Sequence, residues 1–193
     1  MATASKRPEP VTIEAFDAFV DTKGEDSRLY ELVDGVIVMM SNPTEAHEQI
    51  AANISSPLKT ATDKRNCRTY IGGMRVQLSE KVSGIDKTKP DIVVRCGPAT
   101  STRTFITDPL VVVEVLSPST IDYDRGAKLD FYKAVPTMGH IVLVYQDQMR
   151  VEHYQRTPTG FELQVLKKPE DRLEFESLGF EIDLASVYFG VEV

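Results

Sequence analysis

The sequence contains no tryptophan and only two cysteines among its 193 residues. Two cysteines, Cys67 and Cys96, are too few for a disulfide-scaffolded protein or a cysteine-rich zinc site. We expect both to be reduced thiols, as is usual in cytosolic proteins. The aromatic residues are not interleaved with basic ones in the way that is typical of surfaces that stack single-stranded nucleic acid.

Long apolar runs are also missing. No stretch approaches the roughly 18 residues that indicate a membrane-spanning helix, and the first residues lack the apolar core of a signal peptide. We therefore expect a cytoplasmic protein that has no membrane span.

Basic residues are outnumbered by acidic ones. Lysine and arginine total 22 against 29 aspartate and glutamate, which gives a net charge of −7, with most of the acidic excess in the second half of the chain. This balance excludes a protein that coats nucleic acid through bulk positive charge, because phosphate neutralisation needs clustered lysine and arginine. It does not exclude an enzyme that holds cations in a cleft lined by carboxylates.

The composition, 41% hydrophobic and 26% charged, is that of a globular protein. We expect a flexible arm over residues 1–10 and a single domain over 11–193. The predicted fold is α/β, with a central mixed β-sheet flanked by helices and additional β-hairpins. Apolar periodicity and turn residues predict these elements: a helix over 12–20, a hairpin of 29–33 and 36–40 around Asp34-Gly35, a helix from Asn42-Pro43-Thr44-Glu45 that Pro57 weakens, strands over 67–71 and 74–78 joined by Gly72-Gly73, a charged loop over 80–89, strands over 90–94 and 110–116, a helix from about 120 to 135, strands over 140–145, 150–154, 161–166 and 172–175, and a short helix near 183–188.

Two carboxylates occupy unusual positions in the predicted sheet. Glu114 interrupts the apolar strand 110–116, where an ionised carboxylate is costly unless it is paired or bound to a metal. A glutamate near a strand end can also simply reach solvent. Asp91 opens a strand directly after Pro90, a pattern that is also common in turns.

Lys128 falls on the apolar face of the helix predicted after the 110–116 strand, together with Phe131 and Tyr132. Its ammonium group either extends to solvent along this face or meets a carboxylate. With Asp91 and Glu114 on neighbouring strands, the second alternative predicts a divalent-cation site beside an ammonium. Mg²⁺ prefers oxygen ligands and keeps several waters, which leaves room for a phosphate.

These residues carry a resemblance to known nucleases. Pro90-Asp91 followed by Glu114-Val115-Leu116 resembles the PD-(D/E)XK nuclease pattern, although Leu116 stands where that motif has its lysine. Four blocks resemble the Uma-two family of restriction-endonuclease-like proteins over about residues 10–190: Tyr30-Glu31-Leu32-Val33-Asp34-Gly35, Lys89-Pro90-Asp91, Val113-Glu114-Val115-Leu116-Ser117-Pro118-Ser119-Thr120, and Asp124 with Lys128 and Tyr132. In that family the lysine lies on the next helix, which matches Lys128.

The resemblance implies a restriction-endonuclease-like fold and a metal-dependent endonuclease that hydrolyses DNA through a metal-activated water. Asp91, Glu114 and the carbonyl of Val115 would hold Mg²⁺ or Mn²⁺, and Lys128 would position the nucleophile. Glu31 would be a further ligand or a base, unless it is a solvent-facing strand residue. The alternative function is that of a catalytically inactive nuclease fold that serves as a binding or regulatory module.

Other polar residues leave alternatives open. His47, one turn into the second predicted helix, is either a half-buried structural histidine or a phosphate or proton contact. His140 and His153 have no partner by spacing. The following basic residues form either a DNA-backbone patch or a solvated loop face: Lys59, Lys64, Arg65, Arg68, Lys87 and Lys89. We also expect a homodimer, in which the strands over 150–154 and 161–166 pack across a symmetric interface.

Overall fold

The computed structural model describes residues 10–24, 30–33, 35–39, 42–82, 85–98, 100, 102–118 and 121–193, so the predicted arm lies outside it except for Pro10. Helices cover Ile13–Asp21 (α1), Glu45–Asp63 (α2), Ile121–Tyr123 (α3), Leu129–Ala134 (α4) and Leu184–Val187 (α5), with a π-helical segment Asp124–Lys128 between α3 and α4. Strands cover Tyr30–Val33 (β1), Val36–Met39 (β2), Cys67–Ile71 (β3), Arg75–Val82 (β4), Ile85–Thr88 (β5), Ile92–Cys96 (β6), Phe105–Ile106 (β7), Val111–Leu116 (β8), His140–Tyr145 (β9), Val151–Thr157 (β10), Gly160–Leu166 (β11), Arg172–Phe175 (β12) and Phe180–Asp183 (β13).

A six-stranded mixed sheet forms the centre of the domain, in the order β11-β10-β9-β8-β6-β3. β8 and β9 run parallel, whereas the other neighbours are antiparallel. Every residue of β8 is buried, which the apolar run in the sequence predicts for a strand covered on both faces. Because side chains alternate along a strand, Val113 and Val115 face one layer while Val112 and Glu114 face the other.

Helix α2 covers the first face of this sheet together with β12, β13 and α5. Its buried stripe includes Ile50, Ile54 and Leu58, and the Thr44 side chain caps its first turn by accepting the His47 amide at 3.2 Å. The helix continues past Pro57 to Asp63, so the proline does not end it. Proline removes one backbone donor, but the stripe remains packed on both sides of it.

A second sheet, in the order β2-β1-β5-β4-β7, covers the other face together with the helical segment 121–134. The charged loop predicted over 80–89 is wrong, since β4 extends to Val82 and β5 covers Ile85–Thr88. Burial explains the difference: Ile85 packs into the core, and Lys87 is buried because its ammonium pairs with Asp17 at 2.7 Å.

The predicted β1–β2 hairpin is present, with Val33 opposite Val36. Gly35 has a φ of 71° and lies against Pro10, where a side chain at this position would collide. Glycine is therefore required here both for its backbone conformation and for space. Asp34, the other predicted turn residue, lies outside the described residues.

The two cysteines face each other across the large sheet. Cys67 on β3 and Cys96 on β6 are register partners with their Cα atoms 3.9 Å apart, and they form a disulfide. The expectation of two reduced thiols is therefore wrong. Cysteines 29 positions apart give no local signal of pairing, because the contact depends on the strand register.

Near the C-terminus, β12 pairs with β13, a strand that the sequence pattern did not predict. The last helix is shorter than predicted and is capped by Asp183, whose side chain accepts the Ser186 amide at 2.8 Å. No helix among the described residues is long and apolar enough to cross a membrane.

Candidate active site

Lys128 lies at the centre of a buried cluster of carboxylates between the two sheets. Its Nζ is 3.0 Å from Asp124 Oδ1, 3.3 Å from Glu31 Oε1 and 3.4 Å from Glu114 Oε1. Only 3% of the Lys128 side chain is exposed. Of the two arrangements open from the sequence, the structure has the one in which the ammonium meets carboxylates.

Three separate elements bring this cluster together. Glu114 extends from the inner face of β8, and Glu31 from β1 of the smaller sheet. Asp124 and Lys128 are the first and last residues of the π-helical segment. A π-helical turn inside an α-helix is uncommon and is frequent at functional sites; here it aligns a carboxylate and an ammonium across the turn.

Glu114 is also held by the hydroxyl of Tyr132, which donates to Oε1 at 2.5 Å. Thr88 Oγ1 lies 3.1 Å from the same tyrosine hydroxyl, which links β5 to the cluster. Glu31 Oε1 accepts the backbone amide of Lys89 at 3.0 Å. Both glutamates are 4% exposed, so neither is the solvent-facing residue that the sequence left open.

The cluster contains three carboxylates and one ammonium. Burial raises the pKa of Glu114 well above its usual value, and neighbouring Asp124 and Asp91 raise it further, against the opposing effect of Lys128. Burial likewise raises the pKa of Glu31. Burial alone would lower the pKa of Lys128, but Glu114 and the other carboxylates outweigh it, so the ammonium stays charged. This excess of buried negative charge is relieved by a bound proton or by a cation.

Asp91 lies at the edge of the cluster, with 25% of its side chain exposed. Its Oδ2 accepts the Val115 amide at 2.7 Å and lies 3.2 Å from His47 Nε2. The carboxylate is thus tied to the strand that carries Glu114. Burial alone would lower the pKa of His47, but the hydrogen bond and the charge of Asp91 hold it above its usual value.

Several buried polar atoms near Lys128 have no hydrogen-bond partner within the described part of the chain: Glu31 Oε2, Asp124 Oδ1 and the Tyr123 hydroxyl. Asp124 Oδ1 is close to the Lys128 ammonium, but in an ion pair that lacks hydrogen-bond geometry. Across the residues that the structure describes, no group of three or more histidine, cysteine or carboxylate side chains is arranged to hold a metal ion by itself. A cation at this site would therefore depend on water or substrate oxygens for much of its coordination.

Comparison with known proteins identifies the family. The Uma2 family model, described as "Putative restriction endonuclease", matches residues 14–185. The chain belongs to the Uma2 family. This confirms the resemblance to that family, which the sequence carries in residues 30–35, 89–91 and 113–120 and in Asp124, Lys128 and Tyr132.

Relatives of this Uma2 chain occur in Synechocystis sp. The uncharacterized protein slr1290 is 32% identical over 163 residues, which are 84% of each chain. The uncharacterized protein sll1609 is 28% identical over 129 residues, which are 65% of this chain and 71% of the relative. A crystal structure of "a putative nuclease belonging to DUF820" from Anabaena variabilis superposes with a TM-score of 0.71 at 17% identity, over 90% of this chain and 96% of that one. The predicted restriction-endonuclease-like α/β fold is thereby confirmed.

The sequence did not predict that Asp124, Tyr132 and Thr88 take part in the Lys128 cluster, although Asp124 and Tyr132 belong to the blocks that resemble the family. The spacing of Asp124, four positions before Lys128 on the same predicted helix, indicates that the two side chains can pair. No pattern in the sequence indicates a role for Thr88, because its segment was predicted as a loop.

Three of the six cations in the predicted basic patch make contacts within the folded chain. Lys59 pairs with Asp63 and Lys87 with Asp17, while Arg68 Nη1 donates to the carbonyl of Gly97. These cations therefore act as structural contacts in the folded chain.

Proposed function

We propose that the chain is a metal-dependent nuclease that hydrolyses phosphodiester bonds of DNA. The observation that carries this proposal is the buried Lys128 cluster, whose carboxylates outnumber its ammonium and which borders the partly exposed Asp91. Membership of a family described as "Putative restriction endonuclease" supports DNA as the substrate.

The residues present fit a divalent cation of the Mg²⁺ or Mn²⁺ type. Asp91 and Glu114, assisted by the carbonyl of Val115, would hold it, and the hydrogen bond from the Val115 amide to Asp91 keeps these groups together. Mg²⁺ is commonly bound by one or two carboxylates, with waters and substrate phosphates completing the coordination. When bound, the ion polarises a phosphoryl oxygen and lowers the pKa of a coordinated water.

Lys128 supplies a fixed positive charge beside the reacting phosphate. Because it is buried, its charge acts through a medium of low dielectric constant, where a positioned donor stabilises developing negative charge more strongly than in water. Asp124 and Glu31 hold its position through contacts of 3.0 and 3.3 Å. Glu31, whose pKa is raised by burial, is the residue suited to accept a proton from the attacking water.

One feature favours the alternative of an inactive nuclease fold that serves as a binding module. Leu116, at the position of the motif lysine, is 2% exposed and packs in the core. The role of the motif lysine therefore depends entirely on Lys128, which extends from the π-helical segment and not from β8. Cleavage by the wild type separates the two functions, and the variants test the roles of the residues.

The test compares Lys128→Met, Asp91→Ala and a matched control, Lys87→Met, on plasmid, linear and single-stranded DNA with Mn²⁺. Lys128→Met removes one positioned donor, so we expect cleavage to fall by about 10²–10³-fold. Mn²⁺ affinity by calorimetry should change little or rise slightly, because the ammonium repels the ion. Asp91→Ala should lose both cleavage and Mn²⁺ binding.

Lys87→Met removes another buried lysine, one that is held by Asp17. This variant shows how much the loss of a buried ammonium alone changes cleavage. It should cleave at the wild-type rate, provided that circular dichroism shows that it folds. Wild-type cleavage by Lys128→Met would overturn the role of that lysine. A wild-type protein that binds DNA but does not cleave it with Mg²⁺ or Mn²⁺ would establish the inactive alternative.

A further inference from the structure

Another buried carboxylate, Glu152 on β10, binds two arginines outside the Lys128 cluster. Its Oε1 accepts from Arg150 Nη2 at 2.7 Å and lies 3.3 Å from Arg125 Nη2. The hydroxyls of Tyr145 and Tyr154 donate to its two oxygens at 2.9 and 3.2 Å. The Glu152 side chain is 1% exposed, whereas those of Arg125 and Arg150 are 48% and 28% exposed. One buried carboxylate thus binds two arginines that are partly exposed to solvent.

The strand register places this cluster beside the candidate active site. Leu143 of β9 is the partner of Glu114 on β8 and of Glu152 on β10, so the two glutamates lie in one row across the sheet. Neighbouring strands are roughly 5 Å apart, which separates their backbones by about 10 Å. Arg125 follows Asp124 directly and lies within the same π-helical segment as Lys128.

Contacts on several sides fix the orientation of the arginines. The Arg150 guanidinium lies 5.0 Å from the centre of the Tyr145 ring, in addition to its bonds to Glu152. Burial alone would raise the pKa of Glu152, but the bonds from Arg150 and Tyr145 hold it below its usual value, so the anchor stays ionised. Ordering a long side chain in advance lowers the entropic cost of binding through it.

Lys133 lies next to this cluster, with its Nζ 4.7 Å from the centre of the Tyr154 ring. The contacts to Glu152 use Nε and Nη2 of each guanidinium. The other N–H of Nη2 and one N–H of Nη1 form a planar fork that suits phosphate oxygens.

We propose that Arg125 and Arg150, anchored by Glu152, form a phosphate-binding site for the DNA backbone next to the cleaved bond. This inference rests on the proposed nuclease function. The roughly 10 Å between the two glutamates places the contacted phosphate about one to three nucleotides from the one at Glu114. The two arginines are positioning residues that fix the register of the strand and leave the chemistry to the Lys128 cluster.

The test measures binding of a fluorescent DNA duplex by anisotropy at several salt concentrations, with Ca²⁺ in place of Mg²⁺ to suppress cleavage. Each lost phosphate contact should reduce the slope of log affinity against log salt by about one. We expect this for Arg125→Gln, with an affinity about tenfold weaker at moderate salt. Arg150→Gln should act likewise.

The matched control is Arg172→Gln, which makes the same change of charge at an arginine paired with Glu181 on the distant β12–β13 hairpin. It should leave the salt slope and the affinity unchanged. Thermal melts identify any variant that fails to fold. Arg125→Gln suffices if Arg150→Gln unfolds, because Arg125 is the more exposed of the two arginines.

The outcomes separate this site from the nuclease proposal. In one outcome, the wild type binds DNA without cleaving it while the arginine variants show a smaller slope of log affinity against log salt. That result would support the phosphate site and overturn the nuclease proposal. If the wild type cleaves DNA and both arginine variants have the wild-type salt slope, the nuclease proposal stands and the phosphate site is overturned. Equal losses in the variants and in Arg172→Gln would show a general effect of charge, and would also overturn it. Absence of DNA binding by the wild type overturns both.

Discussion

The buried pair His140 and His153 gives the molecule a pH-dependent stability that can be tested without knowing its substrate. His140 Nδ1 and His153 Nε2 are 3.0 Å apart, on neighbouring strands β9 and β10. Phe175 packs against both rings, with centroids 4.7 and 5.6 Å away. The residues are 5% and 2% exposed. Burial lowers the pKa of His140 to about 4, and burial together with the neighbouring histidine lowers the pKa of His153 to about 4.

The sign of the effect follows from proton binding. Between the folded pKa of about 4 and the unfolded value of 6.5, the unfolded chain binds more protons than the folded one. The free energy of unfolding therefore falls as the pH falls through this window. For one histidine with these values, going from pH 7 to pH 5 costs about 2 kcal/mol, so the pair costs roughly 2–4 kcal/mol depending on how strongly the two rings interact.

The experiment measures urea unfolding of the wild type and of a His140→Gln/His153→Gln variant at intervals from pH 7.5 to pH 4.5. Glutamine retains a polar group but does not titrate. The difference in unfolding free energy between the two proteins cancels the contribution of distant titrating groups. The unfolding free energy of the wild type minus that of the variant should fall by roughly 2–4 kcal/mol between pH 7 and pH 5.

His47→Gln, measured with a chelator present, serves as the contrasting control. The pKa of His47 is held above its usual value, so its stabilising contribution is present at low pH and is lost as the pH rises through the folded pKa. The two difference curves should therefore have opposite slopes. A flat difference curve for the double variant would show that His140 and His153 titrate alike in the folded and unfolded chains, which refutes the reasoning from burial.

Two further predictions concern the covalent and quaternary structure. Reducing the Cys67–Cys96 disulfide, or replacing both cysteines by serine, should lower the unfolding free energy by about 3–4 kcal/mol, because the bond closes a loop of 29 residues; an unchanged urea midpoint after reduction would contradict this. Light scattering should give the mass of a homodimer, because Leu163 and Val165 of the edge strand β11 are 46% and 39% exposed and can pack across a two-fold axis. Leu163→Lys should then give a monomer, whereas a monomeric wild type at working concentrations would remove the prediction.

Local patterns in the sequence predicted the elements that carry a continuous apolar run or a recognisable helix start. The run 110–116 became the buried β8, and the helix predicted to start within 42–45 became α2, with Thr44 as its cap. The prediction failed where contacts distant in sequence decide the structure. Strand β5 contains charged residues and reads as a loop, but Lys87 is neutralised by Asp17 from α1, which makes its burial possible.

Only part of the candidate site could be predicted for the same reason. Glu114 and Lys128 stand out because each is a charged residue in an apolar pattern, and the structure brings them to 3.4 Å. Tyr132 was assigned to the core by its position on the helix face, and it is buried there, but its hydroxyl bonds Glu114. A tyrosine packs in an apolar core and also donates a hydrogen bond from its hydroxyl. Its spacing on the helix therefore indicates burial but not the bond to Glu114.

The balance of charge around Lys128 links the fold to the proposed chemistry. Breaking a buried ion pair by removing one partner typically costs about 3–5 kcal/mol, and here three carboxylates share one ammonium. A purely structural cluster would be more stable with matched charges. A proton on Glu114 or Glu31, whose pKa values burial raises, relieves part of the surplus, and an arriving cation would replace that proton and supply the missing positive charge. Addition of Mn²⁺ should therefore raise the melting temperature of the wild type, and this gain should be absent in Asp91→Ala.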